Sequence, residues 1–460
     1  MSVAGLVGAN VLMLAAGLGL LPLLGIARSW RELIARSALS YLCGLVAVGI
    51  VAANLALVHV SFGWIGLTVL ALLTLGAGLR RLRGSERPVW RRPGWISLAG
   101  AAVLLAIFVE YGRAFAVAPL DRYDAWAIWT LKGRALYELG WADPAVFAGS
   151  EYRFANLDYP LLLPSLEAID FRTMGTFDTR LLHLQFLFLL VAGCLALLAL
   201  LRDRTPQLVL WPAVIAIALA PSMFDQLVTA YADIPLALVF AVGLAAGGRW
   251  LLTNERWALA VATLCFAGAL LTKNEGTLFV IAAFVALAVV ARSRVRSLVV
   301  AAAVAALVLL PWKIYVWIYD LQDINYSLAD SFDLDHLDGR LGIGPIAFRT
   351  LGEEMVDPLQ WGLLVPLFVV LATAALVTGS TALPLFALVS ALLAWLGLSW
   401  VYVISHHEHS AYLGSTKERV IASIVLGGAA LTPLLAGEAW SRASTSRARD
   451  QLRSDAARTP

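Results

Sequence analysis

Apolar runs long enough to cross a bilayer recur along almost the whole chain, and they restrict what it can fold into more than any other feature. In helical form, about 17 to 25 apolar residues cover the roughly 30 Å of hydrocarbon in a membrane. Thirteen segments approach that pattern, at 3–26, 37–58, 62–79, 95–119, 181–201, 209–223, 229–247, 258–272, 276–291, 298–318, 359–377, 383–404 and 420–436. An isolated strand in lipid leaves its backbone groups unpaired, so each segment is expected to be a helix. Composition excludes a soluble chain of 460 residues: 60% of the residues are hydrophobic, 14% are charged, and the mean hydropathy is +0.81. The expected fold is an all-α polytopic membrane protein with about thirteen transmembrane helices.

The first segment sits where a signal peptide would, but it lacks a basic n-region and a small-residue cleavage pattern, so it is read as an anchor. Cytoplasmic connections accumulate Lys and Arg. The connections carrying Arg28 to Arg36, Arg80 to Arg92, Arg202 and Arg204, Arg249 and Arg256, Arg292 to Arg296, and the tail put 21 of the 34 cations on one side of a thirteen-span chain. Of the 31 acids, 24 fall on the other side. That acidic side is read as the extracytoplasmic face, with the N-terminus outside and the C-terminus inside. Two long polar connections, 121–180 and 319–360, then lie outside, as do the turns at 224–227, 273–275 and 405–419. The net charge of +3 belongs to the inner connections, and no nucleic-acid partner is expected. Cys43, Cys194 and Cys265 fall inside apolar runs, which leaves neither a disulfide framework nor a CxxC metal site. The tail at 440–460, rich in Ser, Arg and Ala, is read as disordered.

Directly after the fourth apolar run comes DRYDAWAIWTLKGRALY, which carries two acids and three cations among aromatics. Ionisable groups at a membrane face mark a functional site by default. Tyr123, Trp126, Ala127, Thr130, Leu131 and Arg134 recur at helical spacing, so 122–139 reads as an amphipathic helix lying along the membrane surface. Trp126, Trp129 and Trp141 then fall at headgroup depth with Lys132 and Arg134 snorkelling beside them, an arrangement that serves equally as an aromatic belt. Asp121 and Asp124 are either helix caps or reactive carboxylates. Asp233 in YADIP, Lys273 in LTKNEG and Tyr159 in YPLLLP add polar groups at other outer span ends, each with an ordinary structural role as cap, dipole partner or anchor. Together they surround one outer, membrane-level cavity.

In order and side, these elements resemble the GT-C superfamily of polyprenyl-phosphate-sugar glycosyltransferases. The features that carry the likeness are a membrane-proximal Asp in the first large outer connection, a Tyr-Pro stretch late in it, A-D-I-P opening a later span, and L-T-K-x-E-G closing the next hairpin. The bacterial branch related to protein mannosyltransferases and lipid A aminoarabinose transferases, glycosyltransferase family 39-like, is the most similar, over about residues 95–312. The resemblance implies a GT-C-like catalytic membrane core at 94–318 that includes the outer connection 120–180; accessory helices at 1–93 precede it, where family members often start with the span leading into that connection, and an acidic outer connection at 319–358 and C-terminal helices at 359–439 follow it. It makes Asp124 or Asp121 the catalytic acid of the first connection, Asp233 a second outer acid and Lys273 a phosphate contact. D-R-Y-D stands where the family has an adjacent Asp-Glu pair, which leaves open which aspartate acts and whether a metal, Mg or Mn, takes part.

The expected activity is inverting transfer of a sugar from a polyprenyl-phosphate donor to an extracytoplasmic acceptor, with membrane lipid as the surrounding partner. A carboxylate takes the proton of the attacking hydroxyl while cations stabilise the departing phosphate. Asp124 is the expected base; Lys273 and Arg419, with Lys132 or Arg134, are the cations available to the phosphate, and Trp126 or Trp129 offers a face to the sugar. His406, His407, Glu408 and His409 read as a phosphate or acceptor contact, as metal ligands or as a solvated turn. The six acids between Asp320 and Asp338 lack EF-hand spacing and read as a lid or a solvated loop, with a short surface helix at 343–351. The competing function is a transporter or flippase of a lipid-linked or anionic substrate, which should show broken spans and midplane charge.

Overall fold

The computed structural model describes residues 2–82 and 93–456, and among these there is no β-strand. Arg83, Arg87, Arg91 and Arg92 of the expected basic connection lie outside the described residues, as does 457–460 of the tail. All thirteen apolar segments contain a helix. Among the described residues nine helices are long and apolar enough to cross a membrane: Val3–Leu23, Trp30–Leu57, Trp64–Arg81, Trp95–Phe115, Thr179–Leu201, Asp233–Thr253, Arg292–Ile318, Ala382–Val403 and His409–Ser444. A tenth crossing arises if Gln207–Leu219 and Pro221–Val228, bent by 47° at Ala220, count as one. The chain is thus a multi-pass membrane protein with nine or ten candidate crossings, fewer than the thirteen expected. The remaining three apolar helices, Arg256–Leu270, Glu275–Val290 and Leu364–Val377, are shorter. At 1.5 Å per residue they cover only roughly 21–24 Å. The last helix runs on to Ala456, so the tail expected to be disordered continues it through its described residues.

Burial sorts the helices into centre and rim. Every residue of Asp233–Thr253 from Asp233 to Leu251 is buried, and the helix packs against Arg256–Leu270 and the last helix, while Trp95–Phe115 and Arg292–Ile318 leave most of their surface facing outward. Without a hydrophobic force between helices in lipid, small residues decide how closely they approach. Gly17 and Gly44 meet where Val3–Leu23 crosses Ser40–Leu57: a Cβ on Gly44 would stand 1.9 Å from Met13 O, and one on Gly17 would stand 1.7 Å from Ser40 O. Gly44→Val therefore forces the two backbones apart. It is expected to cost about 1–3 kcal/mol or more, as overpacking does, and thermal unfolding in detergent reads the loss; a variant as stable as the parent would contradict this packing.

Several of the cations expected on the inner side gather at one end. Arg249, buried, donates to Leu200 O at 2.6 Å and pairs with Asp203 and Glu255 at 2.8 Å each. Arg36 and Arg249 both stack on Trp257, at 4.2 and 4.5 Å, and Arg294 stacks on Trp250 at 4.6 Å. The polar groups described next lie at the other end of the same helices.

Candidate functional site

Beyond Phe115 the chain turns and enters Asp124–Thr130, a π-helical turn that runs without a break into the Leu131–Leu139 helix. Leu131 N donates to Trp126 O, five residues back, which is the wide spacing of a π-turn, a form that recurs at functional sites. Ala125, Ala127, Ile128 and Trp129 turn inward, and Asp124 at the first position stays partly open. Neither aspartate caps this segment, since no side-chain hydrogen bond closes its N-terminus. Instead the Asp124 carboxylate accepts from Arg419 Nη1 at 2.5 Å, across 295 residues of sequence.

Arg419, paired with Asp124, also feels the charge of a second acid, Asp233. Its guanidinium stacks 4.6 Å over the Tyr231 ring, and two residues further on Asp233 opens the central helix. Asp233, buried, pairs with Lys273 Nζ at 2.8 Å, and the same ammonium reaches Glu275 at 3.1 Å. Asp124, Arg419, Asp233, Lys273 and Glu275 thus alternate in sign from the surface inward. Burial works against the Lys273 charge, but Asp233 and Glu275 outweigh it and hold its pKa above the ordinary lysine value. A buried ammonium flanked by two carboxylates is committed to them, so its effect on any ligand is transmitted through Asp233.

In front of Arg419 lies a cavity of about 740 Å³, open to solvent, with Asp121, Arg122, Asp124, Asp225, Gln226, Tyr231, Glu418 and Arg419 on its walls. Two of these, Asp225 and Gln226, come from the short Pro221–Val228 helix beyond the 47° bend. Gln226 donates to Glu418 O at 3.0 Å and so fixes this helix to the His409–Val420 helix that carries Arg419. Of the residues singled out from the sequence, Asp121, Asp124 and Arg419 line the cavity, while Asp233 and Lys273 stand behind its wall.

The others lie elsewhere. Lys132 does not snorkel: it is fully buried, and its ammonium donates to the carbonyls of Asn156 and Tyr159, close to the stacked rings of Trp129 and Tyr159. Trp129 is likewise interior rather than at headgroup depth. Arg134 is an exposed partner of Glu138 at 2.8 Å and stacks on Phe177, away from the cavity. Trp126 is exposed edge-on to Tyr123, and Tyr159 is buried. His406 pairs with Asp330 at 2.7 Å and His407 meets Asn325 at 3.1 Å, so both histidines hold the acidic second connection. Among the described residues no three His, Cys, Asp or Glu converge as metal ligands.

Other polar groups carried no signal strong enough to single them out. Asn274 donates to Asp158 and stands 3.5 Å from Asp323, joining the first connection, the Lys273 turn and the second connection. Burial and the nearby Asp323 push the Asp158 carboxyl up against the pull of Lys132, while burial pushes Lys132 down. Glu167 and Asp170 lie fully buried in Leu162–Met174, and burial pushes both carboxyls well up. Their sequence signal is two acids three apart in an otherwise apolar run, which puts both on one face of a helix. Glu167 is pressed against the helix that follows the π-turn: a Cβ on Gly133 would stand 2.5 Å from its Oε2. Compared with known proteins, the chain matches no family model, no curated protein and no solved structure.

Proposed function

We propose that this chain is an integral-membrane, inverting glycosyltransferase of GT-C type that moves a sugar from a polyprenyl-phosphate donor to an extracytoplasmic lipid, glycan or protein. The observation that carries this reading is the Asp124–Arg419 pair on the wall of an open cavity at one end of a membrane bundle. A carboxylate beside a guanidinium supplies the two things the reaction needs, a proton acceptor and a leaving-group partner. The acceptor hydroxyl attacks the anomeric carbon as Asp124 takes its proton. The bond from that carbon to the phosphate oxygen breaks, and the phosphate departs toward Arg419, whose other N–H groups remain available beside the one given to Asp124. Displacement in one step inverts the carbon.

Arg122 is the second cation on the cavity wall, and Asp233 and Lys273 support Arg419 from behind rather than touching the donor. A cavity of about 740 Å³ suits a sugar phosphate whose lipid tail stays in the bilayer. In this reading the site faces the outside of a bacterial cytoplasmic membrane.

Proteoliposomes supplied with a labelled polyprenyl-phosphate sugar test the proposal by the appearance of transferred label. Among the described residues no three protein ligands converge on one point, so transfer is expected to persist in a chelator; activity lost there and restored by Mg or Mn would show that a metal held between cavity carboxylates and the donor phosphate takes part. The bend at Ala220, which sends Asp225 and Gln226 into the cavity, favours a second reading as a transporter or flippase, since broken helices form such sites. Translocation of the labelled lipid without sugar transfer would select that reading.

A further inference from the structure

In the second polar connection three large apolar side chains stand clear of the protein: Phe332 is 88% exposed, Leu334 80% and Leu328 70%. They belong to two short turns, Leu328–Phe332 and Leu334–Leu337, outside every candidate crossing. Two acids of the same stretch are turned to other work. Asp333 accepts from the backbone of Asp335 and His336 at 3.0 and 3.2 Å, and Asp330 pairs with His406 at 2.7 Å. The three apolar side chains, within seven residues of one another in sequence, are left exposed. An exposed apolar cluster of this kind in a soluble loop marks a contact surface.

What covers it follows from its neighbour. Ser331 Oγ accepts from Trp400 Nε1 at 3.0 Å. Trp400 is the last member of an exposed stripe on the crossing helix Ala382–Val403, after Leu385, Leu392 and Leu396. Their spacing keeps all four on one helix face, and on a crossing helix an exposed apolar face meets acyl chains. A Trp at the end of such a stripe is the residue type that marks the interface. The cluster is therefore continuous with the lipid-facing surface.

We propose that Leu328, Phe332 and Leu334 dip into the adjacent leaflet and pin the second connection to the bilayer, so that the partner of this surface is lipid. Buried apolar area drives such shallow insertion. Phe332→Cys, carrying an environment-sensitive fluorophore, tests this in phosphatidylcholine nanodiscs, where both faces are open to solution. Cys43, Cys194 and Cys265 are buried, so the added thiol is the one labelled, and the parent chain serves as blank. Asp335→Cys, exposed on the same loop, is the aqueous reference. A nitroxide on the lipid acyl chain should quench the label at 332 at least about threefold more than the label at 335, with aqueous iodide giving the reverse order. A label at 332 that iodide quenches as it does the reference, and that the lipid nitroxide leaves alone, would overturn the proposal and leave this surface to a protein partner.

Discussion

Asp124→Asn is expected to lower sugar transfer by about 10²–10⁴-fold, the range a positioned general base contributes. The substitution suits the question because an amide keeps the shape of the carboxylate, and its oxygen still accepts from Arg419, whereas it cannot take a proton at neutral pH. The cavity wall is thus preserved while the proposed chemistry is removed. Asp121→Asn is the comparison. Asp121 lines the same cavity but is more exposed and only loosely paired with Arg122, at 3.8 Å. Its loss should cost less than about tenfold, consistent with a weak surface pair. Undiminished transfer in both variants would remove the general-base role altogether, and a large loss confined to Asp121→Asn would reassign it.

The second large effect concerns stability. Lys273→Met is expected to cost about 3–5 kcal/mol, because removing one partner of a buried ion pair strands the charge left behind. Here two carboxylates, Asp233 and Glu275, both buried, would lose the ammonium they share. Thermal unfolding in detergent measures the loss. Adding Asp233→Asn to Lys273→Met should recover part of it, since one of the stranded charges is then gone, and failure of the pair to couple would show that they act separately. A single variant as stable as the parent would mean that Lys273 is free to serve a ligand directly.

The helices were legible from sequence because lipid demands a local property, an unbroken apolar run, and each of the thirteen runs does contain a helix. How many of them cross was less legible: Arg256–Leu270 and its two short companions are as apolar as the rest but end sooner, at turns whose position depends on packing. The site divides in the same way. Asp124, Asp233, Lys273 and Arg419 stood out because charge at the end of an apolar run is unusual, and the fold brings them together. Lys132 misled for the opposite reason. Its neighbours in sequence place it on a surface helix, but its ammonium is satisfied by carbonyls 24 and 27 residues away, which no local pattern announces. Asp225 and Gln226 reach the cavity only through the bend at Ala220, and the π-turn at Asp124 uses residues that suit an ordinary helix equally well.

The alternating row from Asp124 to Glu275 also determines how the protein should respond to salt. Mobile ions shorten the reach of exposed charges to a Debye length of roughly 8–10 Å under ordinary conditions, but they enter buried pairs poorly. The exposed pairs Arg134–Glu138 and Arg349–Glu353 weaken as ionic strength rises, whereas Asp233, Lys273 and Glu275 are shielded by the helices that enclose them. Of this row only the outermost pair, Asp124 with Arg419, lines the open cavity, where dissolved anions can reach the guanidinium and compete with the proposed donor phosphate. Ionic strength thus acts on the mouth of this site and leaves its interior unchanged.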